Sequence, residues 1–167
     1  MMMAGAARLW RALWVALFAL ACGPGVADFT RDLGDGYSFV STGPFQKYVL
    51  FGDDYAVRNL VVDLAHDDRF IVGLRLVAEE YECQPGPTLS TMITPAVEYW
   101  LVEKSSGEVH GPLSRRAFDE ERERLGVPAG LQLDSTRAQE SLARFSNPSL
   151  ESKVESGVCR PFDSGAP

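Results

Sequence analysis

The chain has 167 residues, 46% of them hydrophobic, with 16 Lys and Arg against 23 Asp and Glu and a formal charge of −7. That length holds one domain with a core of its own and room for a tail. The acidic excess repels phosphate backbones, which argues against a nucleic-acid partner, and it disfavours adsorption to anionic lipid by charge alone.

Arg8 and Arg11 precede an uncharged apolar run at residues 12–21, and that run ends at Cys22. Ten apolar residues are too few to span a bilayer, which takes about 20, and suit the hydrophobic part of an export signal. Residues 1–21 are therefore expected to be a signal peptide. Phe18-Ala19-Leu20-Ala21-Cys22 resembles the lipobox of bacterial lipoproteins, although Ala19 stands where the commonest pattern has Leu. The preferred reading is cleavage before Cys22 and lipid attachment to it, anchoring the chain to the membrane with the two or more acyl chains that stable attachment requires. Gly23 rather than Asp after the Cys resembles the pattern of proteins sorted to an outer membrane, facing the periplasm. Ordinary secretion through Ala19-Leu20-Ala21 or Gly25-Val26-Ala27 competes with this reading, leaving a free periplasmic or secreted protein. A buried N-terminal helix with a structural Cys22 is the third option. Loss of residues 1–21 leaves 14 basic and 23 acidic residues.

Residues 22–35 then form a tether and lead-in, and residues 36–133 a single β-rich domain. Residues 37–41 and 46–51 read as short strands separated by Thr42-Gly43-Pro44. Residues 57–65 place Leu60, Val62 and Leu64 on one face. After a turn at His66-Asp67-Asp68, residues 70–79 place Phe70, Val72, Leu74 and Leu76 on one face and Ile71, Arg75 and Val77 on the other. Such period-two alternation predicts an antiparallel hairpin with one buried face. Residues 82–87 end that hairpin and open a loop to Pro95. Residues 96–104 form the next strand, with Val97, Tyr99 and Leu101 opposed to Trp100 and Val102. Ser105-Ser106-Gly107 turns the chain so that residues 108–110 pair back.

Ser114 is a natural N-cap for a helix that Gly126, Val127 and Pro128 terminate. Phe118 and Leu125 form its docking stripe, and Arg116 with Glu120 and Glu120 with Arg124 are i,i+4 pairs. A candidate second helix covers residues 135–145, capped by Ser135 and apolar at Ala138, Leu142 and Phe145. The extension at 134–167 is otherwise expected to be loose and partly disordered except near Cys159. The predicted fold is α+β, mainly β: an antiparallel sheet of about five strands with one packed helix.

With Cys22 lipidated, Cys83 and Cys159 remain. In an oxidising compartment they most simply pair, closing a 76-residue loop worth roughly 4 kcal/mol in the chain-entropy model. In a reducing compartment they would remain thiols. With only His66 and His110 in the chain, the cysteines make no zinc pattern.

His66 with Asp63, Asp67 and Asp68 could bind a divalent metal or move protons, but its place at a hairpin turn favours turn geometry and solvation. Asp53-Asp54 and Asp32-Leu33-Gly34-Asp35-Gly36 lack the ligand offsets of a calcium loop. His110, at the mouth of the helix, is expected to make a single hydrogen bond. Glu79-Glu80 and Glu120, Glu121 and Glu123 read as solvated surface rather than paired catalytic carboxylates. No Gly-x-Ser-x-Gly elbow is present. Tyr48, Tyr55, Tyr99 and Trp100 are candidates for an aromatic recognition patch. No catalytic residue, metal site or cofactor is expected.

Asp32-Leu33-Gly34-Asp35-Gly36-Tyr37, then Phe70-Ile71-Val72, then Tyr99-Trp100-Leu101-Val102 with a Lys-Ser-Ser-Gly turn, then Val109-His110-Gly111-Pro112-Leu113-Ser114 and Phe118 occur in a specific order. Over about residues 22–133 this resembles a family of small bacterial lipoproteins or exported proteins of unknown function. The resemblance implies export and a β-rich fold, not an activity, and it leaves the tail from Asp134 outside. The expected function is non-enzymatic: a lipid-anchored envelope protein that binds or supports another envelope component. Two alternatives stand beside it. One is an acidic inhibitor or immunity protein steered to a basic exported hydrolase such as a lysozyme-like enzyme. The other is an exported hydrolase using His66 or His110.

Overall fold

Alternating apolar residues build two antiparallel sheets. The computed structural model describes residues 28–86 and 88–162, so the export run and Cys22 lie outside the described residues. The first sheet is a meander of β1 (Phe29–Gly34), β2 (Tyr37–Ser41), β3 (Lys47–Phe51) and β4 (Asp54–Val57), in that order. The second sheet runs β5 (Val61–His66), β6 (Phe70–Cys83), β7 (Thr88–Glu103) and β8 (Glu108–Leu113), and the short β9 (Cys159–Pro161) also pairs with β6. Three helices follow β8: α1 (Arg115–Leu125), α2 (Thr136–Phe145) and α3 (Pro148–Glu155). The fold is mainly β, as expected, but it has nine strands in two sheets and three helices among the described residues, not about five strands and one packed helix.

The second sheet is the middle layer. One face carries Phe70, Val72, Leu74, Leu76, Tyr99 and Leu101 against Phe118 of α1 and Ala138 of α2. Its other face carries Ile71 and Val102 against Leu33, Tyr37, Phe39 and Val49 of the first sheet. The face assignments along β6 and β7 are those the alternation predicts. The expectation of a half-buried hairpin is corrected: Phe70 to Leu74 are all buried, because helices cover one side and a second sheet the other. An unbroken apolar stretch is the usual mark of a strand buried on both faces.

The predicted strand over 57–65 is divided between the sheets. Val57 ends β4, whereas Val61 starts β5. A bulge between Val61 and Asp63 adds one residue to the pairing with β6. It sends Leu60 and Val62 to the helix-side core and Leu64 to the sandwich core. One extra residue reverses every side chain after it, which simple alternation cannot anticipate.

The loop expected from residue 82 to Pro95 is also corrected. β6 and β7 pair as far as Cys83 and Thr88, forming an arm that runs past the body of the sheet. Pro95 lies at the bulge between Leu76 and Ala78, where a missing N–H interrupts no regular ladder. Residues 147–162, expected to be loose except near Cys159, hold α3 and β9. Asn147 caps α3 by accepting from the Leu150 N–H at 3.1 Å, with Pro148 in the first turn. Leu150 packs with Tyr81, Cys83 and Cys159 in a small core on the arm, and Cys83 and Cys159 form a disulfide.

α1 is capped as expected: the Ser114 side chain accepts from the Ala117 N–H at 3.2 Å, and Gly126 ends the helix. Arg116 pairs with Glu120 at 2.8 Å, but Arg124 pairs with Glu121, three residues back, and not with Glu120. α2 is anchored by Asp134 rather than Ser135; its carboxylate accepts from the Thr136 N–H at 2.9 Å, while Ser135 makes no side-chain cap bond. The elements extend on both sides of residues 36–133, with β1 before and α2, α3 and β9 after.

Candidate functional site

Two acidic turns meet at one end of the sandwich. β1 and β2 are joined by Asp35 and Gly36, both at positive φ (54° and 81°). That is the two-residue turn whose twist suits a tight hairpin, and a Gly tolerates it without a side-chain penalty. Asp32 steadies the approach, its Oδ1 accepting from the Gly34 N–H at 2.8 Å. The β5–β6 turn is built likewise: Asp67 Oδ1 accepts from the backbone N–H groups of Arg69 at 2.8 Å and Phe70 at 2.7 Å.

Lys104, the residue after β7, reaches between these turns. It is 7% exposed, and its Nζ donates to the Leu33 carbonyl on the first sheet and to the Asp67 carbonyl on the second. One ammonium thus fastens the two sheets together, satisfying two carbonyls that burial would otherwise penalise. Around it opens a cleft of about 560 Å³ lined by both turns, with Asp32, Asp35, Asp67 and Asp68 near the buried charge.

His66 stands at the rim of this cleft, exposed. Partial burial, then the positive charges of Lys104 and Arg31, lower its pKa from the usual imidazole value, and a backbone hydrogen bond with Leu33 and the charge of Asp67 oppose them. Their net effect favours the neutral imidazole over the charged one. The cluster of His66, Asp63, Asp67 and Asp68 divides: His66, Asp67 and Asp68 line the cleft, while Asp63 turns away to accept from the Asp134 N–H at 2.7 Å. Among the described residues no three His, Cys, Asp or Glu side chains are grouped as metal ligands.

The remaining candidates are scattered. His110 is 12% exposed at its side chain and holds Glu121 of α1 through Nδ1 at 2.9 Å. Its partner is in mid-helix and not at the helix mouth. Gly111 beside it lies flat on the Trp100 ring; a Cβ there would fall 2.5 Å from a ring carbon, so only Gly permits this approach. Asp53 is exposed in the β3–β4 turn and Asp54 is exposed at the start of β4. Glu79 accepts from the Tyr81 hydroxyl at 2.7 Å. Of the four aromatics, Tyr48 and Tyr55 meet with ring centroids 5.1 Å apart on the first sheet. Tyr99 is buried against Phe118 in the helix-side core, and Trp100 packs in the sandwich core, so the four do not form one patch.

Lys104 is the residue that sequence reasoning missed. A lysine between an apolar strand and a Ser-Ser-Gly turn has the pattern of a solvated turn cation, and only the meeting of two distant hairpins makes it a buried clasp.

The family described as "Protein of unknown function (DUF3997)" matches residues 45–137. The chain belongs to this family. No curated protein and no solved structure matches the chain. The DUF3997 segment runs from before β3 into α2 and contains the Asp67 turn and Lys104, whereas the Asp32–Gly36 turn that Lys104 also holds precedes it. The disulfide likewise joins Cys83 inside the DUF3997 segment to Cys159 beyond it.

Proposed function

We propose that this DUF3997 protein is a non-enzymatic component of the bacterial cell envelope, exported, anchored through lipid on Cys22 to the outer membrane facing the periplasm, and acting by binding another envelope component. The observation that carries this reading is the partition of the three cysteines. Cys83 and Cys159 are bonded to each other, which suits an oxidising compartment. Cys22 is then left as the third cysteine, at the end of an apolar run preceded by Arg8 and Arg11. The engagement of the polar clusters supports binding over catalysis. The Lys104 ammonium is spent on carbonyls, Asp67 on a turn, and His110 on Glu121.

The deciding experiment is the intact mass of the protein recovered from the membrane fraction, with and without reduction. The expected species begins at Cys22, carries acyl chains and gains two daltons on reduction. A Cys22→Ser variant should then leave the membrane fraction. A soluble wild-type product beginning at Cys22 or Asp28 without lipid would overturn the anchor.

A further inference from the structure

β1 is an edge strand of the first sheet and β5 of the second. Between those edges lies a groove of about 450 Å³, within the size range of small-molecule sites. Apart from Ser41, a hydroxyl 3% exposed, its buried lining is apolar: Phe39 and Val61 are 8% and 1% exposed, and Leu64 is half-buried beside them. Phe29 extends this surface to the rim and is 49% exposed, with its ring 5.8 Å from that of Phe39.

The charge here is opposite to that of the chain. The whole sequence has 23 acidic and 16 basic residues, yet the groove is lined by Arg31, Lys47 and Arg137 against the single carboxylate of Asp63. Asp63 is already engaged, accepting from the Asp134 N–H at 2.7 Å and lying 3.6 Å from Arg137 Nε. Arg31 lies over the Phe39 ring at 5.6 Å, which holds its guanidinium beside the apolar lining. Neither Arg31 nor Lys47 has a carboxylate within ion-pair distance among the described residues.

We infer that this groove binds an anionic amphiphile: one acyl chain lying on Phe29, Phe39, Val61 and Leu64, with its carboxylate or phosphate held by Arg31 and Lys47. Apolar burial supplies the driving force, and charge-assisted hydrogen bonds to the cations fix the orientation. An uncharged chain of the same length would gain nothing from the cations, and a bare anion would leave the apolar lining wet. The inference stands on the groove alone and does not require lipid on Cys22.

The test uses the purified full-length protein, taken from whichever fraction holds it, with a diazirine-bearing palmitate as probe and the matching uncharged diazirine alcohol as comparator. After illumination and proteolysis, label from the acid should fall in the peptides holding residues 29–47 and 61–64 and exceed label from the alcohol by roughly tenfold. Arg31→Gln with Lys47→Gln should remove that excess, whereas Arg116→Gln, on the exposed face of α1, should leave it intact. A diazirine phosphatidylglycerol supplied in vesicles, labelling the same peptides better than the free acid, would identify a phospholipid as the source; the reverse order would identify a free fatty acid. Equal labelling by acid and alcohol overturns the inference without recourse to any variant. Label centred on the exposed arm residues Leu89 and Phe162, or absent from the groove peptides, overturns it too. Failure of the cysteine mass experiment would leave the probe result unaffected, so the two proposals fail separately.

Discussion

Strands β6 and β7 run through two regions that are held together by different means. From Phe70 to Leu76 the strand lies between two other layers, and every apolar side chain finds a partner on one face or the other. Past the bulge opposite Pro95, the same two strands form an arm whose core, among the described residues, holds Tyr81, Cys83, Leu150 and Cys159, with Met92 and Val154 at its border. The first region is stabilised by area removed from water. The second buries too little apolar surface for that, and a covalent bond between Cys83 and Cys159 supplements it. Where a core cannot grow, a cross-link substitutes by restricting the unfolded chain.

Breaking the staple is the most severe test of that contrast. Cys83→Ala with Cys159→Ala should lower global stability by roughly 4 kcal/mol in a urea titration. Amides of 148–162 should lose hydrogen-exchange protection first, while those of 70–76 remain the slowest. Equal loss of protection in both regions would show that the arm is not a separate unit. Leu74→Ala acts on the other side. It removes a fully buried side chain from the helix-side core and should cost about 3 kcal/mol. With the disulfide intact, exchange of the arm relative to the body should slow, because the body is what the substitution weakens.

The same contrast separates what was legible in the sequence from what was not. Along 70–76 and 97–102 no bulge interrupts the pairing of the two strands, and the faces that period two assigns are those observed. The identity of the second covering layer was hidden, because the partners of Ile71 and Val102 are Leu33, Tyr37, Phe39 and Val49, far away in sequence. The arm strand Thr88–Ile93 is half polar and is followed by Pro95, so it resembles a loop; Thr88, Thr91 and the β-branched Ile93 were the signal available. α3 announces itself by Asn147 followed by Pro148, a helix start inside a stretch expected to be loose. At the candidate site the turn at His66–Asp68 is legible as a turn, whereas the one at Asp35 and Gly36 falls at the end of what reads as a lead-in. Their convergence on Lys104 depends on tertiary contact across about 70 residues, for which no local pattern exists.

The clasp at Lys104 offers a third way of joining layers, neither area nor covalent bond, and Lys104→Met measures it. The thioether keeps the packing of the stem but removes the ammonium, leaving the Leu33 and Asp67 carbonyls without that donor. The expected loss is about 2 kcal/mol, with exchange accelerated on both sheets at that end and unchanged in the arm.

The smallest effect tests whether the clasp is felt by its neighbour. Partial burial, Lys104 and Arg31 lower the His66 pKa in the folded protein below its unfolded value. The unfolded chain therefore binds more protons near pH 6, and stability must fall as pH drops below the ordinary imidazole range toward the folded value. Wild type should lose stability between pH 7.5 and pH 5.5 more steeply than His66→Gln, when both are followed by urea midpoints at matched ionic strength. In Lys104→Met one of the two cations is gone, so the His66 contribution to that slope should shrink, although burial and Arg31 still act. If the slope attributable to His66 is the same with and without the Lys104 ammonium, the charge does not reach the imidazole, and the clasp is purely a matter of hydrogen bonds to the two carbonyls. If it shrinks, the cleft is one electrostatic unit, and any ligand entering it would meet a neutral imidazole beside a fixed positive charge.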